Sequence, residues 1–211
     1  MSLRNKTVLL TYGPTWVAID EVRVLSNISS GTMGQKIIKA LKAKGAKVTA
    51  LEGPLTCNAK VRAHKTYKYK FFQELKRLLT SQLKKNYDVV IHAAAVADFQ
   101  LKDPARGKVS SQKNRLKLTL VKTEKLINRI KKHRPATCLV GFKLETDQHP
   151  PILKKKVKQL IKDACCDLVV ANTAGKTYRS CIFNNNLDIL ARAQDRITTS
   201  RQLANILNKT L

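Results

Sequence analysis

Strongly apolar segments alternate with amphipathic segments along this chain, and this alternation limits its fold more than any other feature. Asp88–Ala94 is almost unbroken in its apolar character, which is typical of a parallel strand covered on both faces of a sheet. In Phe71–Lys85, by contrast, leucines recur at the spacing of one helix face. Because parallel strands need crossover connections, the pattern predicts an α/β fold with an open, doubly wound, mostly parallel sheet flanked by helices.

The alternation continues along the whole sequence, which predicts a single Rossmann-like domain over residues 1–211. The predicted strands are Lys6–Tyr12, Lys47–Gly53, Asp88–Ala94, Thr137–Phe142 and Asp167–Ala171, with a β excursion at Cys181–Ala191. The predicted helices are Thr32–Lys44, Phe71–Lys85, Glu124–Lys132, Ile152–Lys162 and Ser200–Leu211. Residues 102–120 are expected to protrude as a hairpin-like arm or flap, in which Arg115–Leu120 pairs with the segment around Gly107–Ser111.

The chain is strongly basic, with 41 Lys and Arg residues against 14 Asp and Glu residues and a net charge of +27. Such a charge favours polyanions and steers phosphorylated substrates. The lysines are spread over the sequence, however, and aromatic residues make up only 5% of it, without the interleaved pattern of an RNA-binding module. The charge therefore fits either a basic solvated surface or nonspecific polyanion binding, and specific recognition of nucleic acid is not indicated.

The sequence also bears on the compartment of the protein. The first residues lack an apolar signal-peptide core, and the longest apolar runs fall far below the length of a membrane span. The five cysteines are an odd number without C-x-x-C spacing. We therefore expect a cytoplasmic protein with reduced thiols and no membrane partner.

The connection Arg23–Gly34 leads into a predicted helix and is rich in serine, asparagine and glycine. A helix N-terminus after such a loop presents free backbone N–H groups and the positive end of the helix dipole, which suit an anion. Gly31 and Gly34 permit tight turns and close approach, while Ser29 and Ser30 can cap the helix. The spacing does not match G-x-G-x-x-G, so the residues alone leave a phosphate site and a plain helix cap equally open.

Small or polar residues follow four predicted strands at the point where each strand ends. These tips are Gly13-Pro14-Thr15, Ala93–Asp98, Gly141–Thr146 and Ala171-Asn172-Thr173. Because the carboxyl ends of parallel strands share one edge of the sheet, the tips are expected to converge on a ligand there. The small alanines allow a ribose or base to lie against the backbone, and the Asp98 carboxylate can hold a hydroxyl, an amine or a metal.

Ordered motifs add a family resemblance that covers nearly the whole chain. They are Gly13-Pro-Thr, Ile19-Asp20, Arg23-Val-Leu-Ser-Asn27, Ser29–Gly34, Ala93–Asp98, Gly107-Lys108-Val, Val121-Lys-Thr, Gly141–Thr146, Asp167–Asn172 and Asn184-Asn-Asn186. Together they resemble phosphopantothenate–cysteine ligase, the synthetase half of the bifunctional bacterial coenzyme A biosynthesis flavoprotein. Motifs of the flavin-binding decarboxylase half are not found, so the chain is similar to the stand-alone form and no flavin is expected.

The resemblance implies a nucleotide-dependent ligase. In that family, the carboxylate of 4′-phosphopantothenate attacks the α-phosphate of a nucleoside triphosphate, and the amine of L-cysteine captures the acyl-nucleotide to give 4′-phosphopantothenoylcysteine. The alanine-rich motif that ends at Asp98 favours CTP and leaves ATP open. Mg²⁺ or Mn²⁺ and a homodimer are also implied. The alternative is a basic, Rossmann-like protein that binds nucleotides or nucleic acid without ligase activity.

The resemblance also implies roles for individual residues, although it assigns no metal ligand. Asn27 is expected to position the acyl-nucleotide and Lys108 to close over the phosphates, with Arg23 in support. The residues expected at the substrate phosphate are Ser29, Ser30, Gly31 and Gly34. The residues expected at the nucleotide are Ala93, Ala94, Ala95, Asp98, Lys108, Glu124, Lys125, Leu126, Ile127, Phe142, Lys158 and Lys162.

Two departures from the family pattern concern its lysines. Lys108-Val-Ser-Ser111 stands where many bacterial members have Lys-x-Lys-Lys, so the later positive charges of the arm are missing. Lys158 and Lys162 have the spacing of the nucleotide-contacting lysines, whereas an alternative register puts Leu160 and Ala164 at these two places.

Overall fold

The computed structural model describes residues 2–58, 61–112, 114–146, 150–173 and 177–211. Its first elements are β1 (Thr7–Tyr12), β2 (Trp16–Ala18), β3 (Val24–Ser26), α1 (Thr32–Ala43), β4 (Lys47–Glu52), β5 (Lys65–Lys68), α2 (Phe72–Gln82), β6 (Val89–His92) and β7 (Phe99–Leu101). They are followed by β8 (Leu120–Lys122), α3 (Ile127–His133), β9 (Cys138–Glu145), α4 (Pro150–Ala164), β10 (Leu168–Thr173), β11 (Ser180–Asn184), β12 (Ile189–Ala193) and α5 (Arg196–Thr210). None of the described helices is long and apolar enough to cross a membrane.

Eight of the described strands form one sheet in the order β12-β11-β10-β9-β6-β1-β4-β5. The strands from β10 to β5 in this order are parallel to their neighbours, whereas β11 is antiparallel to β10 and β12 is antiparallel to β11. From β1 the chain crosses through α1 to β4 on one side, and later elements continue from β6 on the other side. This arrangement confirms the predicted doubly wound, mostly parallel α/β fold.

Helices cover both faces of the sheet because successive strand side chains point to opposite sides. On one face, buried residues of β1 and β6 pack with α1 and α5; examples are Leu10, Ile91, Ile38, Leu203 and Leu207. On the other face, strand residues pack with α2, α3 and α4; examples are Leu9, Val90, Leu75, Ile130 and Val157. Burial on both faces explains why the central strands are almost continuously apolar in sequence.

The structure differs from the sequence-based prediction at several elements. The predicted pairing of Arg115–Leu120 with Gly107–Ser111 is wrong: no strand is assigned between residues 102 and 119 in the described part of the arm, which is mostly exposed and polar. A hairpin forms instead at the base of the arm, where β7 pairs with β8. The strands β2, β3 and β5 were not predicted, because each has only three or four residues and β5 carries exposed lysines at the sheet edge.

Gly34 lies where α1 crosses the ring of Tyr12, and this contact leads to a stability prediction. A Cβ at Gly34 would lie 2.2 Å from Cδ2 of Tyr12, far inside van der Waals contact. Although alanine favours a helix by about 1 kcal/mol over glycine, overpacking costs more. We expect Gly34→Ala to lower the free energy of unfolding by about 1–3 kcal/mol, as measured by chemical denaturation. Lys39→Ala, at an exposed site on the same helix, should leave it unchanged. An equal cost of Gly34→Ala in a Tyr12→Leu background would show that the ring is not the obstacle.

Candidate active site at the carboxyl ends of the strands

The loops that follow β1 and β6 are hydrogen-bonded to each other at the carboxyl edge of the sheet. Thr15 N donates to Ala95 O at 3.2 Å, and Ala95 N donates to Gly13 O at 2.9 Å. The buried Thr15 hydroxyl also accepts a hydrogen bond from Ala97 N at 2.8 Å. These contacts lie between β1 and β6, where the strand order reverses and where open α/β sheets bind their ligands.

Asn27 reaches these loops from the end of the β2–β3 hairpin. Its side-chain amide donates to Ala95 O at 3.2 Å and to Val96 O at 3.3 Å. The side chain is nevertheless exposed, so a bound substrate can contact it. The structure therefore brings the predicted catalytic Asn27 to the predicted nucleotide-binding Ala95, although the two are far apart in sequence.

The residues expected at the substrate phosphate lie at the N-terminus of α1. Gly31 adopts the left-handed conformation, with φ 80°, directly before the helix. The Ser30 hydroxyl, which is exposed, lies 2.7 Å from Thr32 Oγ1 and accepts from Thr32 N at 3.3 Å, while Ser29 is half-buried. Gly34, by contrast, is buried, and packing requires its lack of a side chain. The helix start can still offer backbone N–H groups to an anion.

Asp98 and Lys125 face each other at this edge of the sheet. Lys125 Nζ lies 2.5 Å from Asp98 Oδ1, and both side chains are well exposed. Thr123 links the same two segments through its backbone and side chain, because its N–H donates to Asp98 O at 2.9 Å and its hydroxyl to Ala97 O at 2.7 Å. The segment before α3 is therefore fastened to the loop that follows β6.

The rest of the segment 124–127 is divided between surface and core. Glu124 pairs with Lys76 and Arg129, and the hydrogen bond from Lys76 is the main cause of the lowered pKa of Glu124. Leu126 and Ile127 are only 2% and 8% exposed and belong to the core. The helix begins at Ile127 rather than at the predicted Glu124. Their burial means that Leu126 and Ile127 can offer a ligand little beyond their backbone groups.

Phe142 lies within β9, beside Ala93, the residue that follows the end of β6. The strand register pairs His92 with Gly141, so Ala93 and Phe142 are the next neighbours. Both are half-buried against the core cluster on the α1 side, whereas Ala94 packs against the cluster on the opposite side. The predicted pocket residues Ala93 and Phe142 therefore lie together at the edge of the sheet.

Lys158 and Lys162 lie on the second half of α4, and Lys162 is directed away from this edge of the sheet. The helix α4 leads from the carboxyl edge of β9 to the amino edge of β10, so its last turn, with Lys162, lies near the opposite edge. Both lysines are exposed. Leu160 and Ala164, the residues of the alternative register, pack into the core.

A charged cluster at the end of β9 was not anticipated from the sequence. Glu145 Oε1 lies 3.3 Å from Lys143 Nζ, and its other oxygen contacts Lys156 of α4. The Glu145 side chain is only 11% exposed. Burial opposes its ionisation, but the hydrogen bonds from both lysines outweigh this effect and lower its pKa. Sequence spacing suggests the Lys143–Glu145 pair in one strand, whereas the contact with α4 depends on tertiary packing.

Arg23 contacts the arm at Val109, the residue directly after Lys108. Arg23 Nη2 donates to Val109 O at 2.6 Å. Lys108 itself is exposed. The structure therefore brings two of the three predicted catalytic residues, Arg23 and Lys108, together through the backbone of the arm.

His92 is packed beneath this edge of the sheet and is too deeply buried to contact a ligand. It is 8% exposed, and its Nδ1 lies 2.9 Å from the hydroxyl of the fully buried Thr11. Burial lowers the pKa of His92 to about 4. The imidazole is therefore neutral in the folded protein at physiological pH.

This shift predicts a pH dependence of stability. Between pH 6.5 and about 4 the unfolded chain binds a proton at His92 and the folded chain does not, so stability falls as the pH decreases through this window. The gap corresponds to about 3 kcal/mol. Between pH 7 and pH 4, the unfolding free energy of wild type should fall by about 3 kcal/mol more than that of His92→Asn. Urea denaturation at both pH values measures this difference. His133→Asn, at an exposed site, should follow wild type. Parallel curves for wild type and His92→Asn would contradict the prediction.

A separate cleft of about 820 Å³ lies beside β11 and β12. Apolar side chains such as Leu153, Phe183 and Ile189 form part of its wall, and Lys154 and Arg192 also line it. None of the residues predicted for catalysis, nucleotide or phosphate contributes to this lining. The candidate active site is therefore assigned to the switch point and not to this cleft.

Comparisons with known proteins agree with the fold. The family model of the DNA/pantothenate metabolism flavoprotein C-terminal domain matches residues 3–206. The coenzyme A biosynthesis bifunctional protein CoaBC of Thermococcus kodakarensis is 39% identical over 173 residues, which are 82% of this chain and 42% of that protein. The chain thus spans about two fifths of the length of the curated relatives it matches.

Solved structures share the whole architecture. The DNA/pantothenate metabolism flavoprotein from Streptococcus pneumoniae superposes with a TM-score of 0.84 at 22% identity, covering 96% of this chain and 98% of that one. A Cab2 mutant in complex with phosphopantothenate-cysteine superposes with a TM-score of 0.75 at 21% identity, covering 97% and 85%. At these identities the likeness establishes the fold alone. Because the family model extends over nearly all of the sequence, the chain belongs to the DNA/pantothenate metabolism flavoprotein C-terminal domain family.

Proposed function

We propose that this chain is a phosphopantothenate–cysteine ligase that uses a nucleoside triphosphate to join 4′-phosphopantothenate to L-cysteine in coenzyme A biosynthesis. The contact of Asn27 with Ala95 and Val96 carries the proposal, because it joins the loop before α1 to the loop after β6 at the switch point. Further support comes from the name of the T. kodakarensis relative and from the phosphopantothenate-cysteine bound to Cab2.

In the first step, the phosphate end of 4′-phosphopantothenate binds at the N-terminus of α1, near Ser29, Ser30 and Gly31. Its carboxylate oxygen attacks the α-phosphorus of the nucleotide, the bond between the α- and β-phosphates breaks, and pyrophosphate leaves. Lys108 offsets the charge that develops on the phosphates, which is the main task of the protein in such a transfer. Holding both reactants at one sheet edge supplies the proximity.

In the second step, the amine of cysteine attacks the acyl carbon. The new C–N bond forms as the C–O bond to the nucleotide breaks, the nucleoside monophosphate leaves, and the amine proton passes to solvent. The Asn27 amide gives up a loop carbonyl when the acyl-nucleotide is bound, holds the intermediate in position for this attack and donates to the oxygen that gains charge. Arg23 supports the reaction indirectly through its contact with the arm.

CTP is the proposed nucleotide, with its base or ribose against Ala93, Ala94, Ala95 and Phe142. Asp98, held by Lys125, is exposed enough to accept a hydrogen bond from the nucleotide. Among the residues that the structure describes, no three or more His, Cys, Asp and Glu side chains come together as a metal site. Mg²⁺ is expected to be held mainly by the triphosphate.

A homodimer is proposed because apolar side chains remain exposed on the two small hairpins. They are Val22, Val24, Leu25, Phe99, Leu120 and Val121, together with Ile28 in the loop after β3 and Leu116 in the arm. The two hairpins contact each other, and Val17, Ala97 and Leu101 form a small buried core there. Clustered exposed apolar residues mark interaction surfaces, and a second copy of the chain is the proposed partner.

The proposal is tested by incubating the purified protein with Mg²⁺, CTP or ATP, 4′-phosphopantothenate and cysteine. We expect multiple turnovers of pyrophosphate release only when both acid and amine are present, and faster turnover with CTP. Without cysteine, release should stop at about one pyrophosphate per active site, because the acyl-nucleotide is not consumed. No pyrophosphate release with either nucleotide would contradict the ligase function, whereas faster turnover with ATP would contradict the choice of CTP alone.

A further inference from the structure

Asp20 is a buried carboxylate in the turn between β2 and β3, and its two oxygens serve different segments. Oδ1 accepts hydrogen bonds from the backbone N–H groups of Val22, at 2.9 Å, and Arg23, at 2.8 Å, which closes the turn locally. Oδ2 accepts from Val109 N at 3.0 Å and lies 3.4 Å from Arg23 Nε. The Asp20 side chain has no exposed surface. One carboxylate therefore joins the turn to the arm.

The backbone of Val109 holds the arm to the hairpin both as a hydrogen-bond donor and as an acceptor. Its N–H donates to Asp20, and its carbonyl accepts from Arg23 Nη2 at 2.6 Å. Two positions earlier, Gly107 N donates to Glu21 Oε1 at 3.2 Å. Lys108 lies between these two anchored residues, with its side chain exposed. The backbone that carries Lys108 is thus fixed against the hairpin on both sides.

The same hairpin leads through β3 to Asn27, which contacts the loop after β6. One short element therefore carries the residue that contacts Ala95 and the anchor for the arm. We infer that Asp20 is a positioning residue, which latches the arm through Val109 and so sets the place of Lys108 relative to Asn27. This inference rests on the proposed function, because the proposed reaction is what gives the position of Lys108 a role in phosphate chemistry.

The charge of Asp20 suits this role. Burial opposes its ionisation, but hydrogen bonds from the backbone N–H groups of Val22, Val109 and Arg23 outweigh burial and lower its pKa. The carboxylate is therefore ionised at neutral pH, and hydrogen bonds to a charged acceptor are stronger than neutral ones. An asparagine would keep an oxygen for the turn but would present an NH₂ group to the Val109 N–H, so that two donors would face each other.

The test is hydrogen exchange of the arm in the full chain, with Asp20→Asn compared with wild type. We expect exchange at the Val109 amide to be roughly 10- to 100-fold faster, the factor for a lost hydrogen bond to a charged group, while amides of β6 exchange as in wild type. The matched control is Asp188→Asn, in the β11–β12 turn, where the carboxylate accepts from Asn184. This control should leave the arm unchanged.

A second variant, Val109→Pro, removes the N–H group that donates to Asp20 and leaves Asp20 itself in place. It should likewise raise exchange at neighbouring arm amides, and both variants should raise KM for the nucleotide more than KM for cysteine. Unchanged arm exchange in both variants, or equal effects on the two KM values, would overturn the latch. If wild type released no pyrophosphate but Asp20→Asn still freed the arm, the proposed ligase function would fail and the latch contact would stand.

Discussion

The variant Asn27→Ala is expected to lower kcat by roughly 10²- to 10³-fold, the usual cost of removing one donor that is aimed at developing charge. The physical reason is that, in the proposed mechanism, Asn27 acts in the second step, when cysteine attacks the acyl-nucleotide. The first step, in which the carboxylate attacks the α-phosphorus, should not need the Asn27 amide. One pyrophosphate per active site should therefore still be released quickly. Rapid-quench measurement of pyrophosphate and of the amide product separates the two steps.

The matched control for this variant is Asn205→Ala, an exposed asparagine on α5. It should retain wild-type rates of both steps. Because the Asn27 side chain is exposed, we expect the variant to stay folded despite the loss of its bonds to Ala95 and Val96. Equal slowing of pyrophosphate release and of amide formation would move Asn27 to the first step and contradict its assigned role.

The variant Lys108→Ala is expected to lower kcat/KM for the nucleotide by roughly 10²-fold or more, because it removes the cation that we propose to face the triphosphate. In the Lys-x-Lys-Lys pattern of the family resemblance, Ser110 and Ser111 stand at the two later lysine positions of this chain, so Lys108 is the lysine that it keeps. Steady-state kinetics at varied CTP, with cysteine and 4′-phosphopantothenate saturating, measures the effect.

Lys117→Ala is the matched control, since Lys117 is also an exposed lysine of the arm. It should lower kcat/KM by less than about threefold, as expected for the loss of one solvent-exposed charge. If both lysine variants lost activity equally, the general charge of the arm and not Lys108 would account for binding.

The fold was accessible from the sequence because burial on both faces makes a strand continuously apolar. The segments that became β1, β6 and β10 all show this pattern, and α1 and α2 show helical spacing. Once the strands are located, the positions where they end are known as well. Because β1 and β6 are neighbours in the sheet, the connection that contains Asn27 and the Ala93–Ala95 loop start from adjacent strand ends. The parallel sheet brings these two connections together, whereas the contact itself also depends on the β2–β3 hairpin that leads to Asn27.

Other features depend on contacts that no sequence pattern encodes. Gly34 suggested a phosphate-binding loop, but in the structure a glycine is needed there because the ring of Tyr12 leaves no room for a side chain. The spacing of Lys158 and Lys162 matches a lysine pair, yet it also describes the outer face of any basic helix. Asp20 resembles an ordinary turn residue in sequence, and its second partner, Val109, lies far along the chain. The role of the +27 charge stays a prediction.

The central claim is an acyl-nucleotide ligase, and an isotope measurement tests it most directly. The substrate is 4′-phosphopantothenate labelled with ¹⁸O in its carboxylate, turned over with CTP and cysteine and analysed by mass spectrometry. If the carboxylate attacks the α-phosphorus, one ¹⁸O per turnover passes to CMP, and pyrophosphate stays unlabelled. Transfer of ¹⁸O to inorganic phosphate, or formation of product without labelled CMP, would contradict the account.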